Sequence, residues 1–219
     1  MDALIPTLAI WALPVLLAIT LHEAAHGYVA RHFGDPTAHL AGRITLNPLR
    51  HIDPVGTVLV PVGILALSTL MGGGGILFGW AKPVPVNFGR LRSPKADMLW
   101  VAAAGPFTNL LMALGWALLF RIAASAEPGT YSLAMLKMAD AGIQINAVLM
   151  VLNLLPIPPL DGGRIAVSLL PDRFAWRFTR LEPYGFPILL VLLFTGILGA
   201  ILWPLIAGFR YLLSLVFGL

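Results

Sequence analysis

The sequence predicts an all-α membrane protein: a polytopic helical bundle with a membrane-embedded re-entrant or extended segment around residues 53–88. Three observations carry this. The 219 residues are 58% hydrophobic and 11% charged, with a mean hydropathy of +0.88, whereas a soluble domain is about half apolar and about a quarter charged. The apolar residues gather in stretches long enough to cross a hydrocarbon core of about 30 Å. Lys and Arg are gathered mainly into the loops between those stretches. A soluble globule and a disordered chain are excluded. The absence of Cys excludes a disulfide-stapled domain. A net charge of +4 implies no nucleic-acid partner, because membrane orientation accounts for the basic loops first. The length suits one domain, residues 1–219, with a core at 1–170.

Ala3 to Ala30 is the first apolar stretch, with Pro6 and Pro14 inside it and no basic residue before it. Lacking a basic n-region and a small-residue cleavage site, it reads as a retained spanning helix bent near Pro14. Residues 31–52 have loop composition. Val55 to Met71 is apolar for 17 residues and runs into Gly72–Gly75, too short for two crossings. Pro83-Val84-Pro85-Val86 reads as extended backbone. Met98 to Phe120 is a second spanning helix, with Ala102, Ala103, Ala104 and Gly105 permitting close approach. Residues 121–139 read as a loop, and Ala141 to Leu155 as a third apolar helix ended by Pro156-Ile157-Pro158-Pro159. Residues 186–219 suit one long tilted helix or two short ones.

Near the end of the first helix stands His22-Glu23-Ala24-Ala25-His26. At 100° per residue, two histidines four apart lie within about 40° of each other and can share a metal ion. The neighbouring Glu can act on a water activated there. Three ionisable groups in an apolar helix mark a functional site, the plainer alternative being a helix end facing water. Zinc in a catalytic site takes three protein ligands and keeps one position open. His32 points about 240° around the helix from His26 and is discounted. His39 and His51 lie in polar loop and read as solvated. Asp161, after the proline-rich break and before Gly162-Gly163, is the stronger third ligand; an ordinary turn or N-cap Asp is its alternative reading.

Topology is an independent check. If the first helix runs outside to inside, Asp161 reaches the depth of the histidines only when residues 53–81 enter and leave on one side. The loops 31–52, 82–97 and 164–180 then share a side and hold 3, 4 and 4 of the 14 Lys and Arg. That is a positive-inside bias.

Four motifs in order and spacing carry a family resemblance: His22 to His26; Gly79-Trp80-Ala81-Lys82-Pro83-Val84-Pro85-Val86-Asn87; Ala104-Gly105-Pro106-Phe107-Thr108-Asn109; and Asn153 through Gly163. Together they resemble the site-2 protease family of intramembrane zinc metalloproteases, in a short form with no room for a PDZ or nucleotide-binding (CBS) domain. The resemblance implies that His22, His26 and Asp161 bind one zinc ion and that Glu23 is the catalytic acid/base. It implies further that Asn153 holds substrate or oxyanion, and that Asn109, the family's Asn on the middle core helix, belongs with it to the substrate or oxyanion site. The implied partners are a transmembrane protein substrate and the lipid bilayer. The implied location is a multi-pass position in the cell membrane with the site toward the cytoplasm. A zinc transporter using the same His and Asp ligands is the alternative, but it would be expected to carry further ligands along a path.

Three features stand outside these motifs. Gly72–Gly75 is a hinge or a close-packed loop. Pro83 and Pro85 suggest an edge able to pair with an unwound substrate strand. Arg173, Arg177 and Arg180 suit lipid-headgroup anchoring.

Overall fold

The computed structural model describes residues 4–60, 62–63 and 81–219, and those residues contain helices and turns but no strand. Four helices are long and apolar enough to cross a membrane. The first, α1 (Leu4–His32), has 29 residues and carries Pro14 inside it. A four-residue helix, α2 (Thr37–Leu40), follows. The second long helix, α3 (Pro94–Ser125), starts with Pro94, whose missing N–H is no loss at a helix start, and Asp97 accepts the Ser93 N–H at 2.6 Å. It is followed by α4 (Thr130–Asn153), then by the short helices α5 (Asp161–Leu169) and α6 (Asp172–Thr179).

The C-terminal stretch is a helix pair, α7 (Glu182–Phe194) and α8 (Ile197–Phe217). Between them Gly196 adopts φ 77°, a left-handed conformation in which glycine has no Cβ to strain. With 13 residues, α7 spans about 20 Å and is too short to cross; α8, with 21, is long enough.

The loop expected over 121–139 is corrected. The helix of Met98 to Phe120 continues to Ser125 and the next begins at Thr130, so only 126–129 are irregular. Apolar content marks where hydrocarbon lies, while helix ends depend on caps and breakers. Residues 134–139 (Ala-Met-Leu-Lys-Met-Ala) are strong helix formers.

Within 53–88, Asp53 caps a π-helical turn, Pro54–Leu59, by accepting the N–H groups of Val55 and Gly56 at 2.9 and 2.7 Å. Residues 81–87 belong to no helix or strand, and at their end Asn87 is extended, with φ −98° and ψ 101°. The turn of the expected re-entrant hairpin and the Gly72–Gly75 hinge lie outside the described residues. The two ends of the connection meet: Lys82 N–H donates to the His51 carbonyl at 2.8 Å, and Arg92 N–H to that of Phe33 at 3.0 Å. The chain therefore returns to the end of α1 from which it left, as the topology argument requires.

Small buried residues on α3, among them Ala102, Gly105, Ala113 and Ala117, let it pack between α1 and α4. Beyond α4, α8 closes the bundle through Ile206 on Ala147 and Val151, and Leu213 on Ile143 and Ala117. Large side chains such as Leu111, Leu118, Ile201 and Leu205 face outward, as expected where the surroundings are lipid.

Candidate metal centre

One face of α1 brings His22 and His26 together, their rings 4.8 Å apart and nearly perpendicular. Asp161 arrives from the loop that ends α4, as the first residue of α5. Its Oδ2 stands 3.2 Å from His22 Nε2 and 3.3 Å from His26 Nε2, and the two Nε2 atoms are 3.1 Å apart. All three side chains are buried. Among the described residues they form the one cluster of three or more potential metal ligands.

The donor atoms fit a zinc ion. Tetrahedral zinc with bonds of about 2.0–2.1 Å separates its ligand atoms by roughly 3.3 Å, close to the three observed distances. Each ring also turns the correct nitrogen inward. His26 Nδ1 donates to the Val101 carbonyl at 2.7 Å, and His22 Nδ1 donates to Asn109 Oδ1 at 2.6 Å. In its neutral form each ring therefore presents an Nε2 lone pair to the same point. Asp161 Oδ2 is buried there without a hydrogen-bond donor. Three lone pairs converging away from water repel one another unless a cation lies between them.

The surroundings are shaped around this point. A Cβ added at Gly105 of α3 would lie 2.5 Å from His22 Cε1 and from His26 Nε2, so only glycine lets α3 approach the two rings this closely. Gly185 of α7 does the same for the loop presenting Asp161, since a Cβ there would lie 1.6 Å from the Pro158 carbonyl oxygen.

The other sequence-predicted residues lie in distinct places. Glu23 accepts the Val84 N–H at 2.7 Å and so faces the non-helical stretch 82–87. Because Pro83 and Pro85 have no N–H and that of Val84 is engaged, this stretch has little to donate to a substrate strand. Asn109 is fully buried and turned onto His22, while Asn153 Nδ2 bonds back to the Leu149 carbonyl of its own helix at 3.0 Å. His32 and His39 are exposed. The expectation that His51 is solvated is corrected: it is 2% exposed, because Nε2 reaches the Thr45 carbonyl at 3.0 Å beneath the loop. Arg173, Arg177 and Arg180 are exposed on or beside α6, with Arg173 over Phe174 and Arg180 over Trp176. Sequence reasoning missed Asn146, whose Oδ1 accepts from Asn109 Nδ2 at 2.9 Å. The available signal was an amide side chain in the apolar part of a spanning helix, where polar groups are expensive.

The sequence model described as Peptidase family M50 matches residues 121–196, a span holding Asn146, Asn153 and Asp161. The Bacillus subtilis (strain 168) protein named "Putative zinc metalloprotease YwhC" is 40% identical over 205 residues, covering 90% of this chain and 85% of the relative. The chain belongs to peptidase family M50. A second relative, "Putative zinc metalloprotease Rip2" of Mycolicibacterium smegmatis (strain ATCC 700084 / mc(2)155), is 33% identical over 89% of this chain and 70% of its own length. Its Mycobacterium tuberculosis namesake is 37% identical over 67% of this chain and 52% of its own length. No solved structure matches. Membership makes the protein a site-2-type zinc metalloprotease, a hydrolase embedded in lipid by several apolar helices. The transporter alternative is thereby set aside.

Proposed function

We infer that the protein hydrolyses a peptide bond within or near the transmembrane segment of a membrane-protein substrate, using His22, His26 and Asp161 as zinc ligands and Glu23 as acid/base. The observation that carries this reading is the buried convergence of two imidazole nitrogens and one carboxylate oxygen at 3.1–3.3 Å. Zinc held there supplies Lewis acidity and lowers the pKa of a water toward 7. Glu23, one residue from His22 on the same helix, takes the proton of the attacking water and returns it to the leaving amine. Its bond from Val84 N–H keeps the carboxylate oriented until substrate arrives. Asn153, at the end of α4 and eight residues before Asp161, is the proposed donor to the substrate carbonyl.

A helix hides its carbonyls in internal hydrogen bonds, so the substrate span must unwind locally before attack. The basic loops 31–52, 82–97 and 164–180 support placing the ligand end of α1 toward the cytoplasm, in the cell membrane. Residues 1–219 are taken as one protease unit, with the α7–α8 pair buttressing a core at 1–170. Release of a regulatory fragment from a single-span substrate is the expected outcome of cleavage.

The test is zinc content in detergent-purified protein. Wild type is expected to hold about one zinc per chain and Asp161→Ala to lose most of it, in keeping with a three-ligand site. Full zinc in the variant would hand the third ligand to another residue and sink this assignment.

A further inference from the structure

Asn146 takes no part in the chemistry above and stands in none of the motifs, yet it is fully buried in α4. It lies at the head of a hydrogen-bond chain whose direction follows from valence alone. The Gly142 carbonyl can only accept, so Asn146 must turn its nitrogen toward it, at 2.8 Å. That leaves Asn146 Oδ1, also an acceptor, facing Asn109, which answers with Nδ2 at 2.9 Å. The same Nδ2 reaches the Ala18 carbonyl at 3.3 Å, a second group that cannot donate. Asn109 Oδ1 is therefore the atom left for His22 Nδ1, at 2.6 Å, and being an acceptor it requires the hydrogen on Nδ1. In the neutral ring Nε2 must then carry the lone pair.

We propose that Asn146 and Asn109 are positioning residues that fix the tautomer and orientation of His22 for zinc, the direction of the chain being set by the Gly142 and Ala18 carbonyls. His26 achieves the same in one step through the Val101 carbonyl. One ligand is thus anchored by backbone and the other by a pair of side chains, and only the second can be dismantled by substitution. Outer-shell partners of ligating histidines change metal affinity by roughly 10- to 100-fold. Asn146 is two hydrogen bonds removed from the imidazole, so its effect must pass through Asn109.

The proposal rests on His22 being a zinc ligand, and the experiment separates the two. Zinc affinity is measured by chelator competition on purified full-length protein for wild type, His22→Ala, Asn146→Leu, Asn109→Leu, the Asn109/Asn146 double variant, and Ile143→Ala. Ile143→Ala opens a cavity one turn from Asn146 without touching the chain. Expected are a near-complete loss in His22→Ala and a drop of roughly tenfold or more in each Asn variant. The double variant should be no worse than Asn109→Leu alone, and Ile143→Ala should stay within about twofold of wild type. Nitrogen-15 shifts of the His22 ring should report Nδ1–H in wild type and a tautomer mixture in metal-free Asn146→Leu. Wild-type affinity in Asn146→Leu, or an equal loss in Ile143→Ala, would overturn the positioning role while leaving His22 a ligand. An unchanged His22→Ala would overturn the ligand reading itself.

Discussion

The spanning helices hold two polar clusters of opposite design. Around His22, His26 and Asp161 every side chain is buried, each ring nitrogen facing away from the centre is tied down, and three lone pairs are left pointing at one place. On the seam between α4 and α8, Arg210 donates to Asp140 at 2.6 Å and to Gln144 at 3.0 Å, with the charged pair about half exposed. There donors meet acceptors. Polarity that closes on itself staples helices together; polarity left open toward a shared point awaits a cation. Residue type alone does not make this distinction, because both clusters pair acidic and nitrogenous groups inside apolar helices.

The largest expected effect sharpens the difference at the first cluster. Glu23→Gln should lower cleavage of a membrane substrate by roughly 10²–10⁴-fold, the range for losing a general acid/base, with zinc content unchanged; turnover near wild type would remove Glu23 from its role. Next, Gly105→Ala places a methyl group against both rings and should lower zinc affinity by roughly tenfold or more, read by chelator competition.

Arg210→Leu attacks the other cluster. It should destabilise the protein by about 1 kcal/mol in detergent unfolding, the scale of interhelical polar bonds in membranes, and leave zinc affinity alone. A loss of zinc would break the contrast between the clusters.

The smallest effect concerns Asp35, in the loop after α1. Burial alone would raise its pKa, but bonds from the Thr37 hydroxyl, the Asn87 and Thr37 amides, and the charge of Arg90 hold it below the ordinary carboxylate range. A depressed pKa means stability present above the unfolded value and lost as pH falls through the folded one. Wild type should therefore lose slightly more stability than Asp35→Asn on acidification below about pH 4.

Much of this was legible in the sequence, for identifiable reasons. His22, Glu23 and His26 declare themselves because a helix repeats every 3.6 residues and charge is rare in hydrocarbon. Asp161 needed the count of crossings as well as its own surroundings. The helix over 130–140 was not legible from hydropathy, since Lys137 and Asp140 break the apolar run without breaking the helix. The roles of Gly105, Gly185 and Asn146 depend on which helices meet and at what height. A glycine that makes room for a ring on another helix carries no local mark of doing so.

The loop carrying Asp161 rests directly on Gly185, and this has a consequence for the order in which the protein is made. His22, Glu23 and His26 are synthesised well over a hundred residues before Asp161. The third ligand follows only with residue 161, and its seat is complete only once α7 has closed on Pro158. On the proposed reading, peptidase activity begins only after α7 has followed the ligands into place, so a chain cut short before it holds the acid/base and two ligands without a finished centre.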